Sequence, residues 1–266
     1  MPEAQPELLP AGAAFDAVAA TFDARFEPWR SVAAQRRAVR AELLAAFAAG
    51  ADVLEIGGGT GLDAAWLAAQ GRRVHLTDAS PAMVAEAARK LGTGQAEVLA
   101  AENLARLAAR GELFDGVFSN FAALNCIHDL APVGEALGAL IRPGGKAVLV
   151  VFGCCAPGEM LVEAARGRFG TMFRRFARGD VPARLGGRDF TVRYHRRAAI
   201  VAAMTPWFRL TGTRAIGLSV PPSAAEPWIS HRPRLLAVLE TADRLLSRPL
   251  APLGDHILYM FERLPA

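Results

Sequence analysis

From residue 51 onward, short apolar runs alternate with segments in which apolar residues recur at helical spacing. This alternation is typical of an α/β protein with a doubly wound, mainly parallel sheet. The pattern predicts seven strands, at residues 51–57, 72–78, 95–100, 114–120, 146–153, 208–218 and 254–263. Helices are predicted in most of the gaps between them, so a Rossmann-like sheet with helices on both faces is the expected fold.

Two segments depart from this rhythm. Ahead of the first strand, Phe15, Val18 and Phe22 recur at helical spacing, which predicts helices packed on the domain. After residue 153 an arginine-rich segment replaces the next strand, and it is predicted to be an inserted helical lid. The chain is therefore divided into an N-terminal helical cap at 1–50, the core at 51–153, the insertion at 154–190, and the rest of the core sheet at 191–266 with an extra helix at about 233–248. The apolar face of that helix is predicted to carry Leu235, Leu236, Leu239 and Leu246.

Length and composition fit one intracellular domain. With 266 residues, the chain is long enough to bury a full α/β core. No basic and apolar leader begins the sequence, and no run of 18 apolar residues occurs, so a cytoplasmic protein without a membrane partner is expected. Three cysteines without a framework spacing predict reduced thiols. The net charge of +4 is too modest to favour nucleic acid.

The glycine cluster after the first strand is the strongest chemical signal. Gly57, Gly59 and Gly61 give the spacing G-x-G-x-G, and Leu62 stands where a dinucleotide site needs its third glycine. The turn also lacks the lysine of a phosphate-binding P-loop. The spacing therefore argues against nicotinamide dinucleotides and against nucleotide hydrolysis.

The segment EIGGGTG at residues 55–61 resembles the first motif of the class I S-adenosylmethionine-dependent methyltransferases. The resemblance covers roughly residues 10–155 and 190–264, and includes FDGVFSN at 114–120 and LIRPGGKAVLVVF at 140–152. It implies that the glycine turn passes under the amino-acid part of the cofactor and that Glu55 orients its ammonium group. It also implies that Asp78, at the end of the second strand, holds the ribose hydroxyls, and that the N-terminal segment closes over the cofactor.

One position differs from the family pattern, because Ala100 stands where members often carry an aspartate that binds adenine. Adenine is then expected to contact backbone groups near Ala101 and Glu102 and the side chains of Ala79 and Met83. The resemblance implies S-adenosylmethionine as cofactor, S-adenosylhomocysteine as product and no metal. The implied cofactor residues are Glu55, Gly57, Gly58, Gly59, Gly61, Asp78, Ala79, Met83, Ala101, Glu102, Asn103, Ser119, Asn120 and Phe121.

Methyl transfer needs an aligned nucleophile and, for a hydroxyl or ammonium group, a base that removes a proton. Polar residues follow the fourth strand and precede the helix near residue 197, at the sheet edge where ligands bind. His128 and His195 are the candidate bases, because neutral imidazole accepts protons near physiological pH. Tyr194 is a third catalytic candidate, and Phe15, Phe22, Asn125 and Arg193 are the predicted substrate residues.

The insertion and its flank carry ten arginines between residues 166 and 197, against two aspartates. A solvated surface would explain them. Our hypothesis is instead that they attract an anionic small-molecule acceptor, such as a carboxylate, a phosphate or a carrier-bound acyl group, which is methylated on oxygen, nitrogen or carbon. On this hypothesis, neutralising Arg193, Arg196 and Arg197 raises the acceptor KM and leaves cofactor affinity unchanged.

Three alternatives stay open from the sequence. The basic insertion also fits an RNA methyltransferase, although the fourth strand lacks the N/D-P-P-Y/F motif of enzymes that act on exocyclic amines. Cys126, Cys154 and Cys155 follow the fourth and fifth strands and fit an arsenite or thiol methyltransferase, since thiolates bind soft ions. A cofactor-binding protein without turnover is the third. A homodimer is also compatible with the sequence.

Overall fold

The computed structural model describes residues 11–92 and 94–265, so the first ten residues of the predicted N-terminal cap lie outside the described part. A mixed seven-stranded sheet forms the centre, with strand order β3-β2-β1-β4-β5-β9-β8, and β6 and β7 form a separate hairpin. Strands β1 to β5 run parallel, and β9 runs antiparallel to both of its neighbours. The strands are β1 (Asp52–Ile56), β2 (Arg73–Asp78), β3 (Ala96–Val98), β4 (Phe114–Ser119), β5 (Ile141–Phe152), β6 (Asp180–Leu185), β7 (Arg188–Arg193), β8 (Phe208–Ile216) and β9 (His256–Arg263).

The seven predicted strands of the sheet are confirmed, and helices cover both of its faces. Helix α5 begins as predicted, because the Ser80 hydroxyl accepts a 3.1 Å hydrogen bond from the Met83 amide and Pro81 occupies the first turn. The helices are α1 (Ala11–Asp16), α2 (Ala19–Phe26), α3 (Arg30–Ala46), α4 (Leu62–Ala69), α5 (Pro81–Leu91), α6 (Ala105–Ala109), α7 (Ala131–Leu140), α8 (Pro157–Ala165), α9 (Phe169–Met172), α10 (Arg197–Met204) and α11 (Pro233–Leu246).

The alternation of side chains along β1 divides the core into two layers. Leu54 and Ile56 face the layer that also contains buried residues of α7 and α10. Val53 faces the opposite layer, which is covered by α3, α4 and α5. Because both faces are buried, the strand reads as a continuous apolar run interrupted only by Glu55.

The insertion differs from its predicted all-helical structure. It begins with the short helices α8 and α9, but ends in the β6–β7 hairpin, which extends past residue 190 to Arg193. Gly186 and Gly187 form the turn with φ values of +57° and +80°, a backbone typical of two-residue hairpin loops. Apolar residues alternate with polar ones on both sides of this turn, so the hairpin signal was present in the sequence but obscured by the arginines.

Buried charges tie the insertion to the end of the central sheet. The Arg175 guanidinium donates to the Asp255 carbonyl oxygen and to Asp255 Oδ1, each at 2.6 Å. Although burial disfavours ionisation of Asp255, His256 and Arg175 hold its carboxyl pKa well below the usual range. Removing one partner of such a buried pair leaves an uncompensated charge, so this anchor fixes the base of the insertion.

Helix α11 is only partly the amphipathic helix that the sequence predicts. Leu236 is 4% exposed, whereas Leu235 and Leu246 are 38% and 42% exposed. Only a narrow stripe of α11 is buried. The apolar face that the sequence predicts is therefore wider than the face that packs against the rest of the protein. No helix among residues 11–92 and 94–265 is both long enough and apolar enough to cross a bilayer.

Gly134 is expected to control the stability of the α7–α10 contact. A Cβ atom at this position would lie 1.7 Å from the carbonyl oxygen of Ala203, so the two helix backbones cannot keep their separation with any larger residue. Gly134→Ala is expected to lower the free energy of unfolding by about 3 kcal/mol, measured by urea denaturation. Gly170→Ala is the matched control, because nothing lies within 4 Å of its added Cβ. Equal stability of the two variants would contradict this assignment.

Candidate active site

A cleft of about 850 Å³ opens at the carboxyl ends of β1, β2 and β4. Strand β1 lies between β2 and β4, so the strand order reverses there, and this is where doubly wound sheets bind ligands. Helices α1 and α2 form one wall of the cleft, and the β6–β7 hairpin forms another. The volume is typical of sites that enclose a cofactor or a small substrate.

The glycine turn after β1 forms the floor of the cleft. Gly57 and Gly59 have φ values of +63° and +55°, and a Cβ at Gly57 would lie 2.4 Å from the Ala123 Cβ. Gly57, Gly58 and Gly59 line the cleft, so the absence of side chains lets a ligand approach the backbone. Gly61 does not line it: its φ of +77° and its contact with Ala87 give it a packing role against α5.

Glu55 is a buried acid at the bottom of the cleft. It is 2% exposed, and among the described residues no hydrogen-bond partner is found for its buried Oε2 atom. Burial and the nearby Asp63 carboxylate raise its pKa well above the ordinary value, and the Arg36 guanidinium opposes the shift. A buried carboxyl with an unused oxygen is suited to an ammonium group supplied by a ligand.

Arg36, on α3, is a residue of the cleft that the sequence did not predict. Its guanidinium lies 4.8 Å from the centre of the Phe121 ring, and Nη1 lies 3.3 Å from Asp63 Oδ2. Asp63 also accepts hydrogen bonds of 2.8 Å from Arg40 Nε and 2.7 Å from Asn120 Nδ2. Asp63 and Phe121 therefore fix the Arg36 guanidinium in the cleft near the buried Glu55. The guanidinium complements the carboxylate of an amino acid, and the acid complements its ammonium group.

Asp78 is fixed by the backbone around it. Its Oδ2 accepts a 2.8 Å hydrogen bond from the Gly59 amide, and its Oδ1 accepts one of 2.8 Å from the Ser80 amide. Burial raises the pKa of Asp78, and these amides oppose the rise. Each carboxylate oxygen keeps a further lone pair, so the group can accept hydrogen bonds from a pair of hydroxyls.

The remaining predicted cofactor residues divide into two groups. Ala79, Met83, Ala101, Glu102, Asn120 and Phe121 line the cleft. Asn103 is exposed outside it, and Ser119 is fully buried behind it. Asn103 and Ser119 therefore lie where they do not reach a ligand in the cleft.

The chain turns sharply after β4 to form the far edge of the cleft. Phe121 and Ala122 have φ values of 47° and 64°, a left-handed conformation that is uncommon for residues with a side chain. The Asn120 Oδ1 atom accepts a 2.8 Å hydrogen bond from the Phe121 amide and supports this conformation. Such strain is concentrated at functional sites, and nothing in the sequence marks it here.

These groups match S-adenosylmethionine part by part. Glu55 would hold the ammonium group, Arg36 the carboxylate and Asp78 the ribose hydroxyls, while Met83 would pack against adenine. Residues 53–145 match the sequence family described as "Methyltransferase domain". Residues 53–145 therefore form a methyltransferase domain, and the chain has the fold of the class I S-adenosylmethionine-dependent methyltransferases. Its cofactor is S-adenosylmethionine and its product is S-adenosylhomocysteine.

Solved structures share the fold of this methyltransferase. A putative S-adenosylmethionine-dependent methyltransferase from Listeria monocytogenes has 17% identity and a TM-score of 0.59, with 88% of this chain and 98% of that chain covered. DhpI in complex with S-adenosylhomocysteine has 20% identity and a TM-score of 0.55, with 96% and 95% covered. The 1,6-didemethyltoxoflavin-N1-methyltransferase of Burkholderia thailandensis has 21% identity and a TM-score of 0.51, with 99% and 94% covered. No curated protein matches the sequence significantly.

The wall of the cleft beyond the cofactor residues includes several aromatic side chains. Phe190 and Tyr194 contribute from β7 and the segment that follows it, and Phe15 and Phe22 from the N-terminal helices. The ring centres of Phe15 and Phe190 lie 6.0 Å apart, and those of Phe15 and Phe22 lie 6.1 Å apart. Phe15 and Phe22, which the sequence predicts to contact the substrate, thus line the cleft beyond the groups assigned to the cofactor.

His128 lies at the edge of the same cleft and is paired with a residue of the hairpin. Its Nδ1 atom lies 2.9 Å from Asp180 Oδ1, which also accepts a 2.8 Å hydrogen bond from Arg193 Nε. Desolvation opposes ionisation of Asp180, but these two partners lower its carboxyl pKa below the ordinary value. Asp180 was not predicted, because it is separated by more than 50 residues from His128.

Three predicted site residues do not reach the cleft. His195 is buried, its Nε2 atom lies 2.9 Å from the Ile127 carbonyl oxygen, and burial lowers its pKa. Asn125 is fully buried, and both ends of its amide bind backbone groups, those of Arg193 and Phe152. Arg193 itself binds Asp180 and the backbone of His128. These contacts place His195, Asn125 and Arg193 outside the cofactor cleft, so the predicted catalytic role of His195 and the predicted substrate roles of Asn125 and Arg193 are not confirmed there.

The remaining candidates are Tyr194 and the cysteines. Burial raises the pKa of Tyr194, so its hydroxyl is suited to donating a hydrogen bond and not to removing a proton. Cys126 lines the cleft, but burial raises its pKa to about 12. Cys154 and Cys155 do not line it, and no three His, Cys, Asp or Glu residues of the described chain form a group that could hold a metal ion. The thiol alternative therefore lacks a set of thiolates at one site.

Proposed function

We propose that this methyltransferase transfers the methyl group to a small-molecule oxygen or nitrogen nucleophile that binds between the glycine turn and the β6–β7 hairpin. The observation that carries the proposal is the His128–Asp180 pair at the edge of the cofactor cleft. It supplies a base with an oriented ring where an acceptor would enter. The aromatic wall beside it favours a compact, partly apolar acceptor.

The residues of the cleft have distinct roles in this proposal. The bound cofactor supplies a methyl group on a sulfonium centre. Glu55, Arg36 and Asp78 hold the two ends of the cofactor and thereby fix the direction of attack. Phe15 and Phe190 cover the space opposite and reduce the access of water.

His128 would accept the proton that the nucleophile loses. When the Nδ1 hydrogen of His128 is donated to Asp180, the Nε2 atom keeps a free lone pair as the proton acceptor. The nucleophile forms its bond to the methyl carbon as the carbon–sulfur bond breaks, and the electron pair of that bond stays on sulfur. The proton moves to Nε2, so the step is balanced without a metal or a redox partner.

The test is a methyl-transfer screen with isotopically labelled S-adenosylmethionine, a panel of low-mass alcohols, phenols, amines and acids, and total RNA. We expect label in the low-mass fraction. Label confined to RNA would favour the nucleic-acid alternative, and tight S-adenosylhomocysteine binding without transfer to any acceptor would favour a protein without turnover. Gly57→Val is the inactive control, because its side chain would collide with Ala123 and fill the cofactor floor.

A further inference from the structure

A second cavity, of about 680 Å³, adjoins the cofactor cleft. The two cavities share His128 and Tyr194 as lining residues, so they meet at the proposed base. The second cavity lies between the start of α7, the helix α10 and the end of the insertion. Its lining consists of His128, Asp129, Leu130, Ala131, Arg178, Arg193, Tyr194, His195, Arg196, Ala199, Ala202 and Ala203.

Most arginines of the insertion and its flank are neutralised by carboxylates. Arg166 and Arg168 pair with Glu163, Arg174 and Arg175 with Glu159, Arg184 with Asp189, and Arg193 with Asp180. This pairing weakens the sequence argument for a broadly basic surface. Within residues 11–92 and 94–265, the other four arginines have no carboxylate at ion-pair distance, and they are Arg178, Arg188, Arg196 and Arg197.

Two of these four unpaired arginines, Arg178 and Arg196, line the second cavity. Asp129 is the acid in the lining, and its Oδ1 atom accepts a 2.9 Å hydrogen bond from the Ala131 amide. The cavity therefore has an excess of positive charge beside the proposed base. Its floor is built from alanines of α7 and α10, which leave room for a ligand.

We propose that this second cavity binds a carboxylate or phosphate group of the methyl acceptor, while the nucleophilic end of the acceptor reaches past His128 and Tyr194 into the cofactor cleft. Planar guanidinium groups bind both anions through paired hydrogen bonds. The inference rests on the proposed function and narrows its substrate class to organic anions. It also changes the arginines involved. The sequence favours Arg193, Arg196 and Arg197 as the residues that bind the anion, whereas the cavity assigns this role to Arg178 and Arg196.

The first experiment measures anion binding without turnover. The protein loaded with S-adenosylhomocysteine is titrated calorimetrically with inorganic phosphate and, separately, with acetate. We expect saturable binding of at least one anion in the millimolar range, weakened about tenfold in Arg178→Met/Arg196→Met. The matched control is Arg234→Met/Arg248→Met, which removes the same charge from two exposed arginines at the ends of α11. The anion that binds identifies which acidic group the cavity accepts.

Two outcomes of that titration would overturn the proposal. One is the absence of saturable binding of either anion to the wild-type protein. The other is an equal loss of affinity in the two double variants, which would mean that only overall charge matters. Melting temperatures of all three proteins are compared first; because Arg178 and Arg196 are exposed, we expect them to agree.

The second experiment uses acceptors offered in pairs, each acid beside its neutral amide with the same nucleophile. We expect Arg178→Met/Arg196→Met to raise the KM of the acid about tenfold, with kcat within about twofold and the amide unaffected. An equal effect on acid and amide would contradict the assignment. If no acceptor is methylated, the proposed function fails, and the anion titration still decides whether the cavity is an anion site.

Discussion

Glu55→Gln is expected to weaken the binding of S-adenosylhomocysteine about 30-fold or more near neutral pH. Glutamine keeps the shape of the side chain but removes the charge that would pair with the ligand ammonium group. Loss of one partner from a buried, hydrogen-bonded charge pair costs about 2–5 kcal/mol, of which the lower limit corresponds to this ratio. Isothermal titration of the ligand-free protein measures it directly.

The same variant is expected to change the pH dependence of cofactor binding. Because burial raises the pKa of Glu55 in the free protein, acid protonates this carboxyl before the ligand can pair with it. Wild-type affinity should therefore rise with pH until Glu55 is ionised, then fall again in alkaline solution as the ligand amine loses its proton. Glu55→Gln should remove part of this rise in affinity with pH. The rest of the rise comes from ionisation of Asp78, whose pKa is also raised.

The stability of the free protein should change in the opposite direction from binding. A carboxyl whose pKa is raised on folding destabilises the folded state once the pH exceeds its pKa in the unfolded chain. Glu55→Gln should therefore leave the free energy of unfolding unchanged in strong acid and increase it at neutral pH. Glu262→Gln, at a partly buried position on β9, is the matched control and should leave ligand affinity unchanged. Parallel losses of stability and affinity in Glu55→Gln would contradict a ligand-binding role.

His128→Gln is expected to lower kcat by about 10²- to 10³-fold with an acceptor that must lose a proton. The affinity for S-adenosylhomocysteine should stay within about twofold, since the ring lies at the edge of the cleft beyond the groups assigned to the cofactor. Steady-state kinetics at saturating cofactor, combined with ligand titration, separate the two effects. His231→Gln, at an exposed position beside α11, is the control.

Asp180→Asn tests whether the orientation of the His128 ring matters, because this variant keeps the histidine base and changes only its partner. The amide removes the charge that holds the Nδ1 hydrogen, so a smaller loss of kcat, about tenfold, is expected. With an acceptor that is already deprotonated, kcat should be the same in His128→Gln, Asp180→Asn and the wild-type protein. Retention of kcat within about threefold in His128→Gln, with an acceptor that must lose a proton, would show that another group or solvent takes the proton.

Much of the fold was predictable because local physical signals coincide with the global structure. Apolar runs buried on both faces fix the parallel strands, and Ser80 with Pro81 fixes the start of α5. The glycine spacing at residues 57–61 and the acid at the end of β2 identified the cofactor edge of the sheet. The sequence predicts helices in place of the β6–β7 hairpin because its arginines obscure the alternation of apolar residues, although Gly186 and Gly187 mark its turn.

Two residues of the cleft could not be predicted from the sequence around them. Arg36 and Asp180 have no local pattern around them, and each becomes part of the cleft through contacts with residues far along the chain. His195 and Asn125 looked like site residues because polar groups near strand ends commonly face ligands. In the structure, burial and backbone hydrogen bonds hold both side chains outside the cofactor cleft.

The strand pattern, the glycine turn and the acids at the ends of β1 and β2 can be read directly from the order of residues, and these features identify the cofactor. Such features depend on backbone conformation and on the period of apolar residues, which neighbouring residues encode. The folded chain was needed to show which arginines are neutralised, which histidine contacts a carboxylate and where a second cavity opens beside it. Those outcomes depend on distances between side chains far apart in the chain, and distance in space governs charge pairing, proton transfer and the shape of an acceptor site.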